Sequence, residues 1–190
     1  MTAPKKKKKR KKETKKGIQV HKKDSCELSY LKFLSPFMEI IQDEYKPCNR
    51  EAYRWSHIPM IDDDSKPQIF QDCDSRNIEQ MMVPNSDAPR IIINQYVNSF
   101  TISNFDTYEH AETKYLEIIQ RMKRKNHYEE KIENFIKQKG THIIKVNYTP
   151  DTAIVNEPDK TGHFQALLFE NINLNDLVDE SVQPRRIDLK

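Results

Sequence analysis

Glycine is nearly absent, with three residues in 190 where an ordinary domain has about 7%. A P-loop, a dinucleotide-binding turn and a nucleophile elbow each need several glycines at fixed offsets, so those functions are excluded. Cysteine is as scarce. Cys26, Cys48 and Cys73 form no Cys-x-x-Cys pair, and an odd number at wide spacing does not build a disulfide framework. They read as ordinary thiols of a reducing compartment. No run of 18 apolar residues occurs, so no helix of the chain is expected to span a bilayer and no membrane partner is expected. No apolar segment follows the N-terminal lysines, as a secretory signal would require. The same stretch lacks the arginines and hydrophobic spacing of a mitochondrial presequence. The expectation is an intracellular protein, nuclear in a eukaryote and otherwise cytoplasmic or nucleoprotein-associated.

Ligand spacings are missing too. His21, His57, His110, His127, His142 and His163 include no H-E-x-x-H and no Cys/His pair at zinc-finger distance. Cys48, His57 and Cys73 converge on zinc only if the fold brings them together. No serine or cysteine carries a nucleophile signature, and a pairing such as Cys26 with His163 is not forced by the chain. No cofactor is expected, and an enzymatic role has no signature to support it.

Charge is present in quantity and is segregated. The net charge of +3 conceals two opposite halves. Residues 1–23 hold twelve basic side chains and one acid, Glu13, a net +11; the remaining 167 hold 20 basic and 28 acidic, a net −8. The basic residues are Lys5, Lys6, Lys7, Lys8, Lys9, Arg10, Lys11, Lys12, Lys15, Lys16, Lys22 and Lys23. With only Ile18 and Val20 as bulky apolar side chains, this arm has nothing to bury, and disorder is expected. A flexible polycation neutralises phosphates and releases condensed counterions whatever the base sequence. Lysine outnumbers arginine eleven to one here, and lysine acts as a point charge and not as a bidentate reader. Backbone attraction without sequence reading is therefore expected, to DNA or RNA. The run PKKKKKRKK also resembles a short basic nuclear-import signal, which implies an import receptor as the alternative partner.

Two further charged clusters stand out. Arg121, Lys123, Arg124 and Lys125, with Asn126, His127 and Tyr128, offer a second phosphate-contacting patch. Alternatively this is a solvated helix face, with Glu129, Glu130 and Glu133 pairing to Lys131 and Lys137. Asp62, Asp64, Asp72 and Asp74, beside Asp63, are the one carboxylate set that resembles Mg²⁺ ligands. No strand–Glu–x–Lys pattern completes a nuclease site there, so a loop of solvated aspartates is the expectation.

Periodicity outlines the body. Leu28 to Ile41 recur at helical spacing, interrupted at Pro36, so a short helix, a kink and a second helix ending near Tyr45 are predicted. Residues 46–89 hold five of the ten prolines and read as an irregular insert. Within it, extended pieces are expected at Tyr53–Met60 and Gln68–Gln71, and a helical turn at Arg76–Met82. Residues 90–105, rich in Ile, Val, Phe, Tyr and Thr, read as a strand with Tyr96, Phe100 and Ile102 on one face. Asp106 or Thr107 caps a long helix that bends at Arg121–Asn126 and stops at Gly140. Residues 142–148 alternate as a strand, with Ala153–Asn156 as its partner and 163–171 as the last strand. The tail from 173 holds one helical turn at Leu174–Val178 and then frays. Tyr53, Trp55, Tyr96 and Phe100 read as core aromatics, with Trp55 half exposed.

The predicted architecture is α+β, a small, mainly antiparallel sheet packed on one long helix. The arm occupies 1–23, the domain 24–172 and the C-terminal tail 173–190. The strand–helix–strand–strand half resembles a ferredoxin-like arrangement in outline, a shape shared by many functions. The function expected is that of a non-enzymatic accessory or structural protein. Its arm would hold nucleic acid and its acidic body a protein partner. The alternatives are a metal-dependent enzyme acting on nucleic acid through Asp62–Asp74, and an interaction module whose tail is only an import signal.

Overall fold

The computed structural model describes residues 27–67 and 83–189. The arm, Cys26, Cys73, Asp72, Asp74 and the two short elements expected within 68–82 lie outside them.

The chain begins with α1 (Leu31–Leu34), a 3₁₀ turn at Ser35–Phe37 and α2 (Met38–Glu44). Proline at the second position of the 3₁₀ turn is the cause of the kink: it has no N–H to continue the helical ladder. Strands β1 (Lys46–Pro47) and β2 (Arg50–Ser56) follow. After a 3₁₀ turn at Asp62–Ser65 come α3 (Arg90–Ser99) and β3 (Ile102–Phe105). Next are α4 (Tyr108–Lys123), α5 (Tyr128–Lys139), β4 (His142–Tyr148), β5 (Ala153–Val155) and β6 (His163–Leu168). A 3₁₀ turn at Leu174–Leu177 and β7 (Arg185–Arg186) complete the fold.

The seven strands form one sheet in the order β1-β5-β6-β3-β2-β4-β7, every pairing antiparallel. The α+β class and the antiparallel sheet are as predicted. Several features differ. Residues 46–56 are not irregular: β2 sits near the middle of the sheet and pairs with β4 from Arg50↔Tyr148 to Ser56↔His142. Residues 90–99 are a helix and not a strand, because Ile93, Tyr96, Val97 and Phe100 are spaced to bury one helical stripe. Strand β5 pairs with β6 and β1, not with β4. The tail does not fray: β7 pairs with β4, and Ile187 is 2% exposed.

Side-chain alternation gives the sheet two faces. One presents Trp55, Ile143, Phe105, Leu167 and Ile154, and helices cover it in two groups. Ala111, Tyr115 and Ile119 of α4, spaced four apart, cover the β2–β4 side with help from Ile132 and Phe135 of α5. Leu34, Phe37, Ile41, Ile93, Tyr96, Val97 and Phe100 of α1–α3 cover Leu167 and Ile154. The single long helix of the sequence reading is thus replaced by two successive helices and a second helical group. Thr107 caps α4 by accepting from His110 N at 3.1 Å. The break between α4 and α5 falls where expected, with His127 left-handed at φ 56°. Gly140 ends α5, and a Cβ there would run into the Ser56 carbonyl. The second face carries Ala52, Arg54, Ile102, Asn104, Ile144, Val146, Tyr148 and Phe164. The C-terminal turn closes over part of it through Leu174, Leu177 and Val178.

Candidate functional site

Between the two helical groups the sheet is not fully covered. A cleft of about 180 Å³ opens there. Its floor is Ser103 of β3 and Gln165 of β6. Asn98 and Thr101 come from the end of α3, Gln138 and Lys139 from the end of α5, and Asp64 and Lys66 from the turn after β2. Arg54, Trp55 and Phe105 complete the lining.

Arg54 is unusual among these residues, because its side chain belongs to the second face of the sheet, opposite the face that floors the cleft. It occupies an inward position of β2, between Ala52 and Ser56, where a strand in this sheet would ordinarily place an apolar side chain. It is 7% exposed, and its Nε and Nη1 are buried without a hydrogen-bond partner. Burial pulls its pKa below the usual arginine value, opposed by the nearby Tyr148 and Asp64. An unmade hydrogen bond on a buried polar group costs about 1–3 kcal/mol, and more on a charged one. The neighbouring polar groups are already occupied: Tyr148 donates to Asn104 Oδ1 at 3.0 Å, and Asn104 donates to the Ile102 carbonyl at 2.8 Å.

Asp64 is occupied as well. Its Oδ2 accepts from Ser56 Oγ at 3.0 Å, His57 N at 2.9 Å and Ile61 N at 3.1 Å, and its Oδ1 faces His57 Nδ1 at 2.9 Å. It is 4% exposed. The expected loop of solvated aspartates is therefore corrected at this position: Asp64 is the buried knot that closes the turn after β2. Asp62 is exposed, and Asp63 lies 3.5 Å from Lys66 Nζ. Of the carboxylates considered as Mg²⁺ ligands, Asp72 and Asp74 lie outside the described residues. Among the described residues no group of three His, Cys, Asp or Glu could hold a metal ion. His57 is committed to Asp64 and to the Lys137 carbonyl at 3.1 Å, and Cys48 is half-buried.

His163 meets Ser103 among the described residues, and Cys26, the partner considered for it, lies outside them. Ser103 Oγ lies 2.6 Å from His163 Nε2, and the imidazole packs edge-on against Phe105. Burial lowers the His163 pKa, which favours the neutral ring that accepts a hydroxyl proton. Asp159, the nearest acid, spends its Oδ1 on Thr161 and on the His163 backbone N–H. The pair is thus a cross-strand dyad without the orienting third group of a nucleophilic triad.

The second basic patch is a corner. Arg121, Lys123, Arg124 and Lys125 are all exposed at the junction of α4 and α5, with Asn126, His127 and Tyr128 exposed beside them. Lys131 turns back to the Asn126 carbonyl at 3.0 Å and so braces the junction, in place of the pairing with glutamate that the sequence suggested. The twelve basic residues of the arm, Lys5 to Lys23, are not among the described residues.

Sequence reasoning missed Arg54 and the Ser103–His163 pair. The signal for Arg54 was a basic residue at an inward position of an alternating strand, Ala52-x-Arg54-x-Ser56. Ser103 and His163 are 60 positions apart, and only strand pairing joins them. No protein-family model, no curated protein and no solved structure matches this chain. No helix among the described residues is long and apolar enough to cross a membrane.

Proposed function

We propose that this chain is a non-enzymatic, nucleic-acid-associated protein in which the Lys-rich arm holds the phosphate backbone and the acidic body engages a protein partner. The observation that carries this reading is the segregation of charge, +11 over residues 1–23 against −8 over the rest. A uniformly basic protein would coat a polyanion with its whole surface. This one has an acidic body that a polyanion repels, so attraction is concentrated in the arm. The exposed corner Arg121–Lys125 is the one place on the body where four basic side chains crowd within five positions, and it supports a second backbone contact. Tethering by the arm would raise the local concentration of the body at its partner, and the body would supply specificity.

The test is a salt titration of binding to mixed-sequence DNA and RNA. The full chain is compared with a full-length variant carrying glutamine at Lys5–Lys9, Arg10, Lys11 and Lys12. The native chain should bind all sequences alike, with affinity falling steeply as salt rises. The variant should lose most of that dependence, by about 0.9 in the log–log slope per phosphate contact removed on duplex DNA. Equal slopes for the two proteins would refute the reading.

A further inference from the structure

We propose that the gap between β2 and β3 receives an extended peptide segment of the protein partner, added to the sheet as a strand. This rests on the reading that the body engages a protein, and it gives that protein a place and a chemistry. β2 and β3 share one pair, Tyr53↔Phe105. Their other edges are paired along their length, β2 with β4 from Arg50 to Ser56 and β3 with β6 from Ile102 to Phe105. Backbone groups alternate between the two neighbours of an antiparallel strand. Asp106 N donates to the Gly162 carbonyl on the β6 side, so Phe105 and Ser103 turn their backbone groups toward β2. The next bonded pair would join Trp55 to Ser103, and neither it nor the intervening Arg54↔Asn104 is formed. The Trp55 N–H and the Ser103 carbonyl therefore stay open to each other across the gap, and both residues line the cleft. Fixed turns hold the strands apart. Beyond Ser56 the chain is tied to Asp64. Before Ile102, Thr101 Oγ1 lies 2.7 Å from the Asn98 carbonyl and 2.6 Å from Gln165 Oε1. An edge held open in this way is pre-organised for a ligand. The charges around it are spent: Lys66 pairs with Asp62 and Asp63, Lys139 has a partner, and Asp64 is bonded to Ser56, His57 and Ile61. Asn98 and Gln165 spend one end of each carboxamide on Tyr45 and Thr101, and the other end is left for a peptide group. A neutral lining with open ladder groups matches a main chain and not an ion. The two outermost strands of the sheet are two residues long, too short to template addition.

The experiment selects a phage-displayed library of random linear peptides on the full-length protein. The selected peptides are synthesised and added to ¹⁵N-labelled full-length chain, and amide hydrogen exchange is followed. In the free chain the Trp55 amide should exchange roughly tenfold or more faster than the Tyr53 amide, which is bonded to Phe105. Bound peptide should slow the Trp55 amide by a similar factor and leave Tyr53 unchanged. Binding should saturate and depend little on salt, unlike the contacts of the arm. Methylating single backbone nitrogens of the peptide should abolish binding at alternate positions only, since a strand turns every second N–H to the same neighbour. Ser103 is exposed, so Ser103→Tyr should fill the gap at unchanged Tm, lose the peptide and keep the salt slope of nucleic-acid binding. Should that variant fail to fold, the methylation series on the native chain decides. A Trp55 amide as slow as Tyr53 in the free chain would overturn the proposal, because the chain's own residues would then occupy the gap. Peptides that bind while Trp55 exchange stays the same would overturn it too, yet would leave the protein-partner reading standing with its contact elsewhere. A library that yields no saturable binder would overturn the proposal as well, while the salt titration of the arm remains a separate test.

Discussion

His57 Nδ1 lies 2.9 Å from Asp64 Oδ1, across the turn that brings the chain back from the end of β2. Three more donors converge on the same carboxylate, from Ser56, the His57 backbone and Ile61. His57 reaches on to the Lys137 carbonyl near the end of α5. One buried side chain therefore joins the central strand, the turn and the C-terminal end of the helical layer that walls the cleft.

Replacing Asp64 with alanine should strip all four donors of their acceptor. Breaking a buried charged hydrogen-bond set typically costs about 3–5 kcal/mol. Asp64→Asn keeps one acceptor oxygen and should cost less. Urea unfolding measures both, and a loss below about 1 kcal/mol for Asp64→Ala, the worth of a single ordinary hydrogen bond, would show that the knot is not a stabilising element.

The C-terminal segment gives a second test. Ile187 is buried against the cluster of Phe105, Tyr115 and Ile143. Asp179 accepts from Ser181 and Asn147, and Lys145 stands 3.3 Å away. These donors, the Ser181 hydroxyl first, hold the Asp179 carboxyl down to about 2. Ile187→Ala should cost about 2–4 kcal/mol by cavity formation. Asp179 adds a pH signature: its folded pKa lies below the unfolded value, so its contribution is present above about pH 4 and is lost as pH falls toward 2. Comparing Asp179→Asn with the native chain across that window should show the two stability curves converging at the acid end.

These two elements also mark how far the sequence could be read. The interrupted first helix, the break near Asn126, the stop at Gly140 and the strand at 142–148 all rest on local signals: a proline, a gap in an apolar stripe, a glycine, an alternation. Those signals survive into the fold. Helix α3 was misread because Ile91–Ile93 is a β-branched run, and the helical spacing Ile93, Tyr96, Val97, Phe100 overlaps it. Tertiary burial decided between the two patterns. Strand β2 lay hidden among prolines, and its central position depends on pairing with a segment about ninety residues away. Ile187 gave no periodic signal at all, because it is buried by docking of a tail. The site suffered most. Arg54 is informative only once its neighbours are known to be satisfied, and the sequence does not carry that information.

Alkaline pH should unfold the protein through its buried phenols. Burial pushes Tyr115 and Tyr148 up to about 12 and Tyr45 higher still. In the unfolded chain each ionises near pH 10. The folded state therefore holds more protons between about pH 10 and the raised values, and stability falls as pH rises through that window. Tyrosinate absorbance should show these phenols titrating late and together with the loss of near-UV circular dichroism. Tyr115→Phe removes the hydroxyl bonded to the Gly140 carbonyl at 2.7 Å. It should cost about 1–2 kcal/mol at neutral pH while reducing the alkaline loss.

The corner between α4 and α5 separates electrostatic from structural roles. His127 holds a left-handed backbone at φ 56°, a conformation that costs a residue with a Cβ roughly 1 kcal/mol relative to glycine. His127→Gly should therefore be neutral or slightly stabilising in urea unfolding. Its nucleic-acid binding should be unchanged if the basic side chains alone make the contact. Replacing Arg121, Lys123, Arg124 and Lys125 with glutamine in the full chain should leave the circular dichroism spectrum intact, since all four are exposed. The log–log salt slope should shrink by about 0.9 for each duplex phosphate that the corner contacts. A slope identical to that of the native chain would restrict the polyanion contact to the arm and leave the corner as a solvated face.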